Sequence, residues 1–382
     1  MPHPVFIMTS LGPIFADDLA RIKPGDRLRL TISAQTSDAA ALAQAALEAR
    51  ARGERVLVVC ADPADVPRLA QEMPWFEPKL DVRPLPDWET LPYDVLSPQE
   101  ELVSERLEAL YRLTAPTGGA DVLLTSAVTA SQRLSPVSYI GANTFFFHQG
   151  EQISLTTLQK RLAAAGYANV KQVLAAGEFA VRGSIVDVFP MGSERPFRLD
   201  FFDDEIESIR WFDVDTQRSM ESAEEIRLLP GHEFPVDPEA LLAFRQRWRR
   251  EFAGDPKKSI VYCDIEKEIL PPGIEYYLPL FFDETAALTD YLPPNARVFL
   301  LGDIEVALQA FGRDMASRYK VLAADPQRPA LAPERIWLKP EEFFKSLANF
   351  ARFTVEKKEN AEDLKRLTGI EVDRKSQNPV GK

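Results

Sequence analysis

Four apolar residues in a row, Val56, Leu57, Val58 and Val59, constrain this chain more than any other feature. A strand that is apolar on both faces must be covered on both faces, the mark of a parallel sheet layered with helices. The flanking sequence fits. Residues 28–32 form a short extended run, residues 33–37 are polar turn material, and Asp38 is placed to cap an Ala/Leu-rich helix reaching Arg52. With the strand 55–60 this makes a βαβ unit. A second helix over 66–72, a Pro/aromatic loop over 84–98, an amphipathic helix over 99–113 and a buried strand over 121–125 follow. That order predicts an α/β fold.

From about residue 141 to 230 the period changes. One helix, 155–166, precedes three period-2 runs, 179–189, 197–202 and 206–212, separated by turn clusters at 190–196 and 203–205. The pattern predicts an antiparallel meander packed on a helix, a small α+β domain inserted in the larger one. Beyond 230 the alternation returns. Leu241, Phe244, Trp248 and Phe252 line one face of a helix over 238–252, and 298–301 reads as another buried strand. Residues 356–382, rich in Lys, Glu and Asn, read as a linker. The expected division is 1–140, 141–230, 231–355 and a tail 356–382.

The 382 residues suit two or three domains. Lys and Arg total 45 against 58 Asp and Glu, a net charge of −13, so a whole-surface wrap around DNA is not expected. The two cysteines, Cys60 and Cys263, are far apart and lack neighbouring ligands, which excludes a disulfide framework and a local zinc site. The apolar run at residues 5–8 is too short for a signal sequence, and no stretch approaches the ~20 apolar residues of a bilayer span. A cytoplasmic protein without a membrane partner is expected.

The catalytic inventory is thin. A P-loop needs glycines and a lysine in the first strand-to-helix turn, but that turn reads Ser33, Ala34, Gln35, Thr36, Ser37, Asp38. Asp38 would also repel phosphate at the helix N-terminus. The acids after the strand 298–301, Asp303 and Glu305, read as surface groups, and Asp203, Asp204 and Glu205 as a solvated hairpin turn. His3, His148 and His232 are scattered. Arg245, Arg247, Arg249 and Arg250 surround Trp248 and read as a solvated face of its helix. Trp88 and Tyr93 read as anchors of the Pro-rich loop. No catalytic residue, metal or cofactor is expected in these residues.

One strand looks wrong for a bland scaffold. Alternation places Phe197, Leu199 and Phe201 on the core face of 197–202, and Arg198, Asp200 and Phe202 on the other. Arg182 lies on the neighbouring strand at a level that could bring it alongside. Arginine and aromatics are enriched at binding hot spots. From pattern alone a second reading stands open, with Arg198 paired to Asp200 or Asp187 and Phe202 folded under the Asp203 turn.

Long motifs add a resemblance. Asp87-Trp-Glu-Thr-Leu-Pro-Tyr-Asp94 with Ser97-Pro98 and Ser104-Glu-Arg-Leu107, Gly177-Glu-Phe-Ala-Val-Arg-Gly183, Asp187-Val-Phe-Pro-Met-Gly-Ser193, Arg198-Leu-Asp-Phe-Phe-Asp-Asp-Glu-Ile206 and Phe212-Asp-Val-Asp-Thr-Gln-Arg218 resemble the bacterial transcription-repair coupling factor family, Mfd. The likeness runs from about residue 27 to 353 and covers the family's N-terminal, UvrB-like portion. It implies a degenerate helicase-like domain 1 split in two around an inserted domain 2, without ATPase function. The loop 88–105 is read as too short for the DNA-gripping hairpin of UvrB. The resemblance further implies that domain 2 docks on UvrA through Arg182, Arg198 and Phe202. In the full-length family protein, ATP and Mg serve separate motor domains, RNA polymerase and double-stranded DNA are partners, and a C-terminal domain masks domain 2.

Overall fold

The computed structural model describes residues 23–33, 37–115 and 119–358. Strands are numbered along the chain: β1 (Arg27–Ser33), β2 (Val56–Cys60), β3 (Val82–Pro84) and β4 (Val122–Ser126), then β5 (Phe145–His148) and β6 (Ala168–Asn169). β7 (Glu178–Arg182), β8 (Ile185–Val188), β9 (Phe197–Phe202), β10 (Glu205–Phe212), β11 (Ser219–Ala223) and β12 (Glu225–Leu228) follow, and β13 (Arg297–Leu301) and β14 (Ala351–Lys358) close the series. Strands β1–β14–β13–β2–β4–β3 form one parallel sheet in that spatial order. A second six-stranded sheet, β11–β10–β9–β8–β7–β6, is antiparallel except at its β6–β7 edge, and β5 pairs with β12 in a ribbon. The fold is mixed α/β, as the strand pattern predicts.

The apolar run explains the layering. Leu57 and Val59 face a core shared with Leu107 and Leu110 of the helix Glu100–Thr114, while Val56 and Val58 face Ala39, Leu42 and Ala46 of the helix Ser37–Ala51. Alanines on that face have no bulk to hold helix and sheet apart, so the layers pack closely. Asp38 does not act as a simple cap. It lies inside the helix's first turn, fully buried, and takes both guanidinium ends of Arg68 at 3.1 and 2.7 Å.

Several boundaries differ from the sequence reading. The run 179–189 is two strands, because Gly183, at φ +62°, turns the chain between β7 and β8. The helix starting at Leu155 ends at Ala164, and Gly166 (φ +91°) redirects the chain. The helix expected over 66–72 runs Asp65–Phe76 with Pro74 in its last turn. The supposed linker begins too early: residues 356–358 belong to β14, where they pair with β1, and residues 359–382 lie outside the described residues. Residues 34–36 of the candidate phosphate turn and the N-terminal run 5–8 also lie outside them.

A buried polar network ties three segments together. Arg106, without solvent exposure, donates from Nε to Glu233 at 2.6 Å, from Nη1 to the Pro86 carbonyl at 2.7 Å and from Nη2 to Gln132 at 2.9 Å. Trp88 Nε1 donates to the same Glu233 oxygen at 3.0 Å. Trp88 and Tyr93 are therefore anchors: Trp88 is buried, and the Tyr93 hydroxyl donates to the Leu331 carbonyl.

Two buried groups give stability a pH signature. Burial lowers the His232 pKa to about 4, so its contribution is full above the unfolded value near 6.5 and is lost as pH falls toward 4. Burial first, and Glu233 as a lesser cause, raises the Glu275 pKa to about 7, against lowering by backbone and Ser97 hydrogen bonds. Its contribution is full below about 4.5 and is lost as pH rises through 7. Glu275→Gln is expected to raise stability at pH 8 by on the order of 2 kcal/mol and leave it unchanged near pH 4. Thermal melts across that range check this, and parallel profiles for the two proteins would contradict it.

A candidate protein-docking face

The flagged residues converge on the antiparallel sheet. In β8 and β9, Asp187 stands opposite Arg198, and Ile185 stands opposite Asp200. Arg182 pairs with Ile185 across the β7–β8 hairpin, so Arg182, Ile185 and Asp200 lie in one row. Arg198 and Phe202 sit two residues to either side of Asp200 on the same face, about 7 Å along the strand from it. Two strand spacings separate Arg182 from that strand, about 10 Å. All three residues thus occupy one small patch.

Asp187 is the pivot. Its carboxylate is fully buried and accepts two bonds from Arg198, Nε at 2.6 Å and Nη2 at 2.9 Å, and one from Arg182 Nη2. Arg198 also donates to the Gln217 carbonyl (3.2 Å) and the Ser219 hydroxyl (3.1 Å), and its guanidinium lies 5.0 Å from the Phe212 ring centroid. The bond to Asp187 raises its pKa further, so it stays charged. Asp187 offsets one of the two guanidiniums, and Asp200 on the same face is a further negative charge acting on Arg198. The side chain of Arg198 is only 14% exposed, whereas that of Arg182 is 48% exposed.

The Asp187 pairing belongs to the reading left open in the sequence, and the fate of the ring goes the other way. Phe202 is 67% exposed and does not fold under the Asp203 turn. Its core-facing neighbours Phe197, Leu199 and Phe201 are buried. Sequence reasoning missed Arg210, an exposed third cation directly opposite Arg198 on β10. The role of Asp187 as a shared anchor was hidden too, because it depends on the Gly183 hairpin bringing Arg182 back across β8.

The remaining candidates resolve as structural parts. Asp303 caps the helix Ile304–Leu322 by accepting from Val306 N, and Asp203 and Asp204 form the β9–β10 turn. Arg247 pairs with Asp283 and Arg245 with Glu266, while Trp248 is buried. Cys60 is buried, and neither it nor Cys263 is in a disulfide. Among the described residues no group of His, Cys, Asp or Glu is placed to hold a metal, and no helix is long and apolar enough to cross a membrane.

Comparison with known proteins places this face in a recognised module. Residues 145–234 match the family described as the UvrB interaction domain. Over 298 residues, 78% of the chain, the sequence is 42% identical to the transcription-repair-coupling factor of Escherichia coli strain K12, of which the match covers 26%. The Haemophilus influenzae protein of that name is 44% identical over 277 residues, 72% of this chain and 24% of the relative, and the Bacillus subtilis one 32% over 216 residues, 52% and 18%. The chain thus matches the UvrB interaction domain over residues 145–234 and is similar over most of its length to transcription-repair-coupling factors. It spans about a quarter of the length of the first two relatives.

Proposed function

We propose that this chain is a UvrB-like adaptor module that recruits UvrA to stalled RNA polymerase in transcription-coupled nucleotide-excision repair. One observation carries the reading: within the residues matching the UvrB interaction domain, a rigid sheet holds Phe202 in solvent beside the half-exposed Arg182 and the fixed Arg198. Arg182 and Arg198 would make charge-assisted bonds to carboxylates of UvrA, with Phe202 as the apolar anchor. Residues 141–230 would form domain 2, inserted between two parts of domain 1 that share the parallel sheet. Motor activity on double-stranded DNA, with ATP and Mg, would belong to further domains of a longer protein, and a C-terminal domain there would mask domain 2. If this chain uses the surface that UvrB uses, UvrB added in excess should displace it from UvrA in a competition titration. A ternary complex of all three would contradict the reading.

The module itself would lack ATPase function. The first helix N-terminus of the parallel sheet, where a phosphate would sit, holds the buried carboxylate of Asp38 clamped by Arg68. Titration of the chain with ATP and Mg is expected to show no saturable binding. Micromolar saturation would favour the alternative, a module that keeps nucleotide or DNA binding as part of a translocase.

A further inference from the structure

Asp200 occupies the middle of the docking face with few bonds of its own. On β9 it lies midway between Arg198 and Phe202, and it shares a row with Arg182 and Ile185. Its half-buried carboxylate accepts from the Ser208 hydroxyl, directly opposite on β10, at Oδ2 and 3.0 Å. Among the described residues it forms no ion pair, because Asp187 takes Arg198 through Nε and Nη2 and Arg182 through Nη2. Arg198 feels Asp200 only through space. The arginines are therefore held in place without it.

The charges around Asp200 divide by end. Next to Arg198 stands the exposed Arg210, directly opposite on β10. Next to Phe202 stands the exposed Glu205, whose Oε2 accepts from Gln152 Nε2 at 2.7 Å, and the turn between β9 and β10 carries the exposed Asp203 and Asp204. Along β9 and β10 the face runs from cationic at Arg198 to acidic at Phe202, and Asp200 marks the change of sign. Arg198 and Phe202 lie about 7 Å to either side of it along one strand. A partner that touches both must cover Asp200. Covering a carboxylate without a counter-charge is strongly unfavourable, so a partner seated here brings its own cation.

We propose that Asp200 is a specificity-determining residue of the docking face, selecting a partner surface that sets an arginine or lysine side chain against it, beside the carboxylates that meet Arg182 and Arg198. This rests on the docking of UvrA proposed above and adds the sign of one further contact. Were Asp200 only to temper the arginines, its removal would strengthen their pull on the partner's carboxylates, the opposite result. Calorimetric titration of UvrA into the full chain, Asp200→Asn and Asp200→Glu reads that sign. Asparagine keeps an acceptor for Ser208 and loses the charge, whereas glutamate keeps the charge. Asp200→Asn should bind at least about tenfold more weakly than the parent, and Asp200→Glu should recover most of the loss. Melts of both variants should match the parent, since no guanidinium is bonded to Asp200. A folded Asp200→Asn protein that binds as tightly as the parent, or tighter, would overturn the proposal and leave the docking of UvrA standing. So would an Asp200→Glu protein that binds no better than Asp200→Asn. A parent chain that does not bind UvrA would overturn the docking itself, and this contact with it.

Discussion

Glu233→Ala is expected to destabilise the chain by roughly 3–5 kcal/mol, because it strands the Arg106 guanidinium in an interior with no solvent access. It also removes the acceptor of Trp88 Nε1. Three segments depend on that one carboxylate: the Pro-rich loop through Trp88, the helix Glu100–Thr114 through Arg106, and the residues after β12 that carry Glu233 itself. In a chain of this size the loss corresponds to a fall in Tm of roughly 5 °C. Glu233→Gln keeps an acceptor for Trp88 and should cost less. A Glu233→Ala protein that melts with the parent would show that the network is not strained by losing its anion.

The second large effect separates binding from stability on the docking face. Phe202→Ala removes an exposed ring, so the melt should not change, while affinity for UvrA falls by about 2 kcal/mol, or roughly thirtyfold. Arg182→Ala should behave similarly, since Asp187 keeps both bonds from Arg198. Arg198→Ala should reduce stability as well as affinity. It leaves the buried Asp187 with Arg182 alone and removes the bridge from β9 to Gln217 and Ser219. Paired melts and binding titrations on the three single variants check this division. A Phe202→Ala protein that melts early and binds normally would reverse it.

Much of the architecture was legible because short-range rules governed it. The consecutive apolar residues of β2 and β4 announced a sheet covered on both sides, and the face assigned to Phe197, Leu199 and Phe201 is buried as alternation required. Other parts were set by distant pairing. The helix Ile304–Leu322 went unread because it carries polar residues and Gly312, and only Ile304, Leu308 and Met315 are buried. The lysine-rich end of β14 reads as a tail in isolation and is a strand because β1 lies alongside. At the site, alternation gave Arg198 and Phe202 a common face but could not show that Asp187 is shared. Two arginines on one buried carboxylate are visible only once the β7–β8 hairpin is folded. The long motifs around Trp88 and Arg106 mark the internal network, a structural role that no pattern of charge or periodicity reveals.

The most direct measurement is calorimetric titration of UvrA into the chain and into the triple variant Arg182→Ala/Arg198→Ala/Phe202→Ala, each checked for a cooperative melt. Saturable binding by the parent and none by the folded triple variant at the same concentrations is the predicted result. Equal affinity of the two proteins for UvrA would contradict the account.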